Sequence, residues 1–409
     1  MVLFFLMSGL FLGWSLGAND ASNVFGSAVG SKMISFRKAA IIASVFVILG
    51  AVIQGAGTSG TLGKLGAVNA LGGSFTVALA AAITVYMMTK FSLPVSTTQS
   101  IVGAIIGWNL FTGNPTDTST LTKIVVTWIT GPVLGALFAI PLYMLVSCFK
   151  RRAGIHMILF ESYIKTSLVI VGAFAAYSLG ANNIANVMGV FVPAFNLEEM
   201  DLALFTLSSS QQLFLLGGLA IATGIITYSK KVMETVGSNI VNLTAEAALV
   251  TVLAESLVLF VFSSTKLSGL MVKAGLPPIP MVPVSSSQVI VGCVIGIGLY
   301  KGARNINFRI LGEIAAGWIA TPVMAGLMSF FSLFIVKNIF NFDVGRKTSA
   351  PSETVQVQTG TSDISQLMKY VILAIIISVV IATVYYYMLE RKKSRDFRKS
   401  EERFWKYIK

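Results

Sequence analysis

Charge is scarce in this chain. Of its 409 residues, 11% are Asp, Glu, Lys or Arg, where an ordinary soluble domain carries about 25%. Histidine is scarcer still: there is one, His156, beside a basic loop. A single loop histidine leaves no material for a histidine proton relay or a Ser–His nucleophile, and no HExxH motif occurs. An intramembrane hydrolase is thereby excluded. The two cysteines, Cys148 and Cys293, lie in or beside apolar segments. They form no spacing pattern for a disulfide framework or a metal site. Acidic residues are outnumbered 17 to 30, for a formal net charge of +13. The excess does not describe a groove for nucleic acid. Nine of the basic residues fall within 391–409, and others cluster in short loops (Lys32, Arg37 and Lys38; Lys150–Arg152; Lys230 and Lys231; Lys301, Arg304 and Arg309). Such clustering is the positive-inside pattern of a membrane protein.

Apolar residues are abundant. They make up 55% of the chain, and the mean hydropathy is +0.80. Apolar runs near 2–18, 39–57, 124–148, 166–182, 211–228, 309–336 and 367–389 approach or exceed the roughly 20 residues that span a bilayer. Two further runs come as pairs, 73–90 with 95–111 and 246–263 with 284–300. Each pair is two full crossings or a re-entrant hairpin. The chain is therefore expected to be an all-α polytopic membrane protein. With the N-terminus outside, the basic clusters fall on the cytoplasmic side and Glu198, Glu199 and Asp201 fall outside. Residues 338–366 read as a polar extracytoplasmic linker, and 367–409 as an extra transmembrane helix with a basic cytoplasmic tail.

Two polar motifs interrupt this apolar background, and each occurs twice. Residues 17–26 read GANDASNVFG and residues 180–189 read GANNIANVMG. Residues 94–99 read PVSTTQ and residues 283–288 read PVSSSQ, with Gly103 and Gly107 matched by Gly292 and Gly296. A weaker echo sets Trp128-Ile129-Thr130 and Pro132 against Trp318-Ile319-Ala320 and Pro322. The order is the same in both halves, so the chain is a duplication, 1–153 and 154–337. Either reading of the paired runs gives each half an odd number of crossings. That makes the second repeat upside down relative to the first, and inverted repeats with broken helices near the midplane characterise secondary transporters.

The chemistry of each motif follows from its residue types. Proline suits a helix's first turn, and Ser or Thr caps it. A helix start presents free N–H groups and partial positive charge, which hold phosphate-like anions. Two such starts can face each other, so that Ser96, Thr97 and Thr98 meet Ser285, Ser286 and Ser287 around one tetrahedral anion. The plain alternative is ordinary capping. Asn19, Asp20 and Asn23, with Asn182, Asn183 and Asn186, supply oxygen ligands suited to Na⁺, and the flanking small residues let helices break there. Gln99 and Gln288 are added to the sodium set, and Asp20 and Asn183 also border the anion. Asp20 is the one carboxylate in the four motif copies, and an intramembrane Asp is a functional candidate by default. Monobasic phosphate, two Na⁺ and Asp20 sum to zero charge, which lets a loaded site close. Glu246 and Glu255 are weaker candidates, for an ion path or for structural pairing. The polar residues stand in local patches rather than along a continuous pore, which favours alternating access over a channel.

The duplicated GAN and PVS motifs resemble the signatures of the inorganic phosphate transporter (PiT) family, which includes sodium–phosphate symporters and a retroviral receptor branch. The likeness covers about 9–336. It implies import of inorganic phosphate driven by Na⁺ or H⁺, an inverted-repeat fold, homodimers in a cell membrane, and a core site of Asp20 and its neighbouring asparagines with Ser96–Gln99 and Ser285–Gln288. Na⁺ enters as a co-transported ion, and no cofactor is implied. Two departures matter. The family often has Asp where this chain has Asn183, and some members have His where it has Gln99 and Gln288. The expected function is Na⁺-coupled phosphate symport. H⁺-coupled symport of phosphate or a neutral metal–phosphate complex, and sulfate permeation on the same scaffold, stay open as alternatives.

Overall fold

The computed structural model describes residues 2–66, 68–90, 95–152, 156–195, 197–201, 206–233, 244–302, 308–345, 366, 369–370 and 372–374. Its helices are α1 (Val2–Gly30), α2 (Phe36–Gln54), α3 (Ala56–Leu65), α4 (Leu71–Lys90), α5 (Thr97–Thr112), α6 (Thr118–Arg152), α7 (Met157–Met188), α8 (Ser209–Thr227), α9 (Ala245–Ser263), α10 (Thr265–Lys273), α11 (Ser286–Tyr300) and α12 (Phe308–Asn338). Seven of the described helices are long and apolar enough to span a membrane: α2, α4, α6, α7, α8, α9 and α12. The chain is a multi-pass, nearly all-helical membrane protein.

The paired runs take one form in both halves. α4 and α9 have spanning length, 20 and 19 residues. Their partners α5 and α11 have only 16 and 15 residues, about 24 and 22 Å at 1.5 Å per residue. Each partner starts just after the serine of its PVS motif, at Thr97 and Ser286, with extended backbone at the capping Ser96 and Ser285. The helix break therefore sits at PVS. It does not sit within the GAN motifs: residues 17–26 lie inside α1, and residues 180–188 are regular helix at the end of α7, which stops at Met188. Packing explains the continuity. A Cβ on Gly17 would overlap the Ile221 carbonyl, and one on Gly180 would overlap the Val47 carbonyl. The glycines serve close helix contact rather than a bend.

Matched helices exchange partners between the halves. α1 packs on α8 as α7 packs on α2, and α5 packs on α12 as α11 packs on α6. The second exchange unites two sequence echoes. Gly103 abuts the Pro322 backbone and Gly292 abuts that of Pro132, so each PVS helix rests on the proline of the other half's Trp–Pro segment. α6 and α12 turn stripes outward, Val126, Ile129, Val133 and Leu137 on one and Ile319, Val323, Leu327 and Phe331 on the other. Apolar side chains three to four residues apart form one helix face, here with lipid as its natural solvent. Asp117 caps α6, accepting from Ser119 N at 2.9 Å and Thr120 Oγ1 at 2.9 Å. The Thr120 hydroxyl, then its N–H, holds the Asp117 carboxyl below the usual range.

Residues 339–345, the start of the expected linker, pack against the beginning of α4 and the end of α5. Trp108 Nε1 donates to Val344 O at 2.7 Å. Most of the remaining linker, most of the last helix expected at 367–389 and the basic tail lie outside the described residues. A second, smaller compact unit takes in 197–206 and 358–409, of which the short strand Met200–Asp201 and the helical residues 366, 369–370 and 372–374 are described.

Candidate functional site

Both PVS helix starts are capped by their own serine. Ser96 Oγ accepts from Gln99 N at 3.3 Å, and Ser285 Oγ accepts from Gln288 N at 3.3 Å. The capping role weighed from sequence is thus real, and it coexists with a site. A capped start still leaves the N–H groups of its first residues without an intrahelical partner. Those residues are Thr97 and Thr98 on α5, and Ser286 and Ser287 on α11.

The GAN helices reach these starts across the chain. Asn23 Nδ2 donates to Ser286 Oγ at 2.8 Å. Asn186 Nδ2 donates to Thr98 Oγ1 at 2.9 Å and to Asn183 Oδ1 at 2.8 Å. The Asn23–Ser286 and Asn186–Thr98 contacts each join a GAN motif of one half to a PVS motif of the other. Asn182 does something else. Its Nδ2 donates to Val284 O at 2.7 Å, and its Oδ1 accepts from Val284 N at 3.0 Å. Both ends of that amide clamp the extended lead-in to α11, so Asn182 holds backbone where an open sodium ligand was expected. Ser285 and Ser287 share a contact at 3.1 Å between hydroxyls. Asn19 Nδ2 donates to Asp20 Oδ1 at 2.7 Å, while among the described residues Asp20 makes no hydrogen bond to a PVS motif.

The site is enclosed. Asp20, Ser96, Thr97, Thr98, Gln99, Asn182, Asn183, Asn186, Ser285, Ser286 and Gln288 are buried, and Asn19, Asn23 and Ser287 are half-buried. Several buried polar atoms have no partner among the described residues: Thr97 Oγ1, Gln99 Oε1, Gln288 Oε1, Asn186 Oδ1 and Asn183 Nδ2. Such orphans cost about 1–3 kcal/mol each, and their presence in three of the four motif copies makes this the candidate site for a ligand. Most are oxygens, the atom a hard cation needs.

Glu255 belongs to this cluster more directly than its sequence position indicated. Its Oε1 accepts from Ser286 Oγ at 2.5 Å. It sits 31 residues before Ser286, and a lone acid in an apolar run was the only signal for it. Glu246, by contrast, pairs with Lys150. His156 is exposed, in keeping with its loop position.

Oxygen-rich helix starts gathered inside a bundle of spanning helices define a membrane transporter for a small oxyanion. The model of the phosphate transporter family matches residues 16–329, and the chain belongs to that family. The match spans all four motif copies. Among its relatives are two archaeal proteins named "putative phosphate permease". That of Thermococcus kodakarensis is 28% identical over 405 residues, covering 81% of this chain and 96% of the relative. That of Pyrococcus furiosus is 28% identical over 404 residues, covering 80% and 94%. A solved structure titled "The sodium-dependent phosphate transporter" aligns with a TM-score of 0.65 at 24% identity, covering 83% of this chain and 99% of that one. This likeness shows a shared fold.

Proposed function

We propose that this phosphate transporter imports inorganic phosphate by symport with Na⁺ through alternating access. One observation carries the proposal. Helix starts from both halves are tied into one enclosed cluster by Asn23–Ser286 and by α7, whose Asn186 bonds Thr98 while Asn182, one turn away, bonds Val284; the motifs joined by these bonds also carry a buried carboxylate, Asp20, and unpartnered oxygens. The free N–H groups and hydroxyls of Thr97, Thr98, Ser286 and Ser287 suit a tetrahedral anion, with Ser96 and Ser285 shaping the two starts. Asp20, Asn19, Asn23, Asn183, Asn186, Gln99 and Gln288 offer oxygens to Na⁺. No Lys, Arg or His is buried among the described residues. A phosphate and a carboxylate can share this low-dielectric space only when cations enter with them, since each isolated buried ion costs several kcal/mol. That requirement is a physical source of coupling. The sodium-dependent protein that shares the fold supports Na⁺ as the cation.

The same proposal includes inverted repeats at 1–153 and 154–337, an outside N-terminus, residence in the cell membrane and a homodimer. The exchange of partners α1–α8 for α7–α2 and α5–α12 for α11–α6 supports a two-fold relation of the halves. Radiolabelled phosphate uptake into proteoliposomes under imposed Na⁺ or H⁺ gradients, with sulfate as competitor, tests the function. Uptake that follows an inward Na⁺ gradient and resists excess sulfate is expected. Uptake driven by H⁺ alone, or blocked by equimolar sulfate, overturns it.

A further inference from the structure

Asp20 and Glu255 are the only acidic or basic side chains buried among the described residues. They come from different halves, Asp20 from α1 and Glu255 from α9. Glu255 is 2% exposed. One of its oxygens accepts from Ser286 Oγ, and the other, Oε2, is buried without a partner. A carboxylate enclosed in this way, with one oxygen anchored and one bare, is half of a cation site. Asn23 donates to the same Ser286 hydroxyl through its nitrogen, which leaves its amide oxygen available as a further ligand.

We propose that Glu255 supplies the second carboxylate of the cation-binding machinery, through Oε2 with Asn23 Oδ1, in place of the acid that the second GAN motif lacks at Asn183. The inference rests on the Na⁺-coupled function proposed above. Two Na⁺ then meet two carboxylates, and the empty protein binds both ions before the anion arrives. With Glu255 counted, monobasic phosphate, two Na⁺ and two carboxylates sum to −1 rather than to the zero expected from Asp20 alone, and the remaining negative charge is met by the N–H groups and partial positive charge of the two helix starts. Ser286 is the hinge of the arrangement, because it begins α11 and bonds both Asn23 and Glu255.

The test measures equilibrium binding of ²²Na⁺ to purified protein without phosphate, together with Na⁺-dependent uptake in proteoliposomes. Glu255→Gln keeps an acceptor for Ser286 Oγ and removes only the charge, so a purely positioning role survives the change. The variant is expected to bind one Na⁺ fewer per chain than the wild type, to need at least tenfold more Na⁺ for half-maximal uptake, and to show a shallower Na⁺ dependence. Glu255→Asp keeps the charge on a shorter arm. It is expected to retain the full ion count at weaker affinity, and it decides the matter where Glu255→Gln does not yield monodisperse protein. A Glu255→Gln protein with unchanged ion count and half-saturation, or a Glu255→Asp protein indistinguishable from wild type, overturns the assignment and leaves Na⁺ coupling standing. A wild-type protein that binds no Na⁺ overturns the underlying function itself.

Discussion

The two halves carry the same pair of motifs and use them differently. Asn23 and Asn186 hold the same place in their GAN motifs, yet Asn23 grips Ser286, the first residue of its helix, and Asn186 grips Thr98, the second of its own. Ser286 is also claimed by Glu255. Its register equivalent Thr97 meets no acid, and its hydroxyl is buried without a partner. One helix start is therefore tied into carboxylate chemistry, while the other leaves a hydroxyl open. Duplication supplied two equal anion-type helix starts. A side chain outside the motifs, Glu255, then sets one of them apart from the other.

The comparison can be tested first where the halves are most alike. Gly103→Val and Gly292→Val should both abolish recovery of folded protein, because each Cβ would meet backbone at Pro322 or Pro132. Overpacking of this kind costs about 1–3 kcal/mol or more, and it cannot relax when the obstacle is main chain. Fluorescence-detected size exclusion reads the result; one tolerant position would show that the two scaffold contacts are not equivalent.

A smaller effect probes the acid that only the first half carries. Asp20→Asn should leave the elution profile unchanged and lower Na⁺-driven uptake at least about 100-fold, near 2.7 kcal/mol. Adding Asn183→Asp should not restore it, because Asn183 Oδ1 already accepts from Asn186. Recovery in the double variant would mean that the halves are interchangeable after all.

Thr97→Val should raise the phosphate concentration for half-maximal uptake about tenfold, near 1.4 kcal/mol, and leave the Na⁺ requirement unaltered. Equal losses for both ligands would point to collapse of the site. The smallest effect is expected at the Lys150–Glu246 pair, whose lysine is 52% exposed. Lys150→Met should change thermal stability by less than about 1 kcal/mol, as for most ion pairs open to solvent; a larger loss would give the pair a share in holding α6 to α9.

Much of the site was legible because the residues themselves are unusual. Amides and a carboxylate in apolar helices announce themselves, and a motif that recurs in order declares a duplication. The location of the helix break was not legible at GAN. Small residues there are equally compatible with a bend or with tight packing, and neighbouring backbone at Ile221 and Val47 decides for packing. Asn182 looked like Asn186 in sequence, yet its amide is spent on the Val284 backbone. Glu255 and Glu246 share one apolar run and meet separate fates, one in the site and one at a lysine.

Composition and local pattern by themselves determined that this chain lives in a bilayer, that it carries its two polar motifs twice in the same order, and that polar residues cluster in those four short stretches. Those properties depend on single residues and near neighbours, through hydropathy and helix-start chemistry. Only the tertiary structure decided which motif meets which, because Asn23 and Ser286 stand 263 residues apart and nothing local couples them. The burial that brings them together also strips water from Glu255, and that loss turns an ordinary glutamate into a carboxylate in need of a partner.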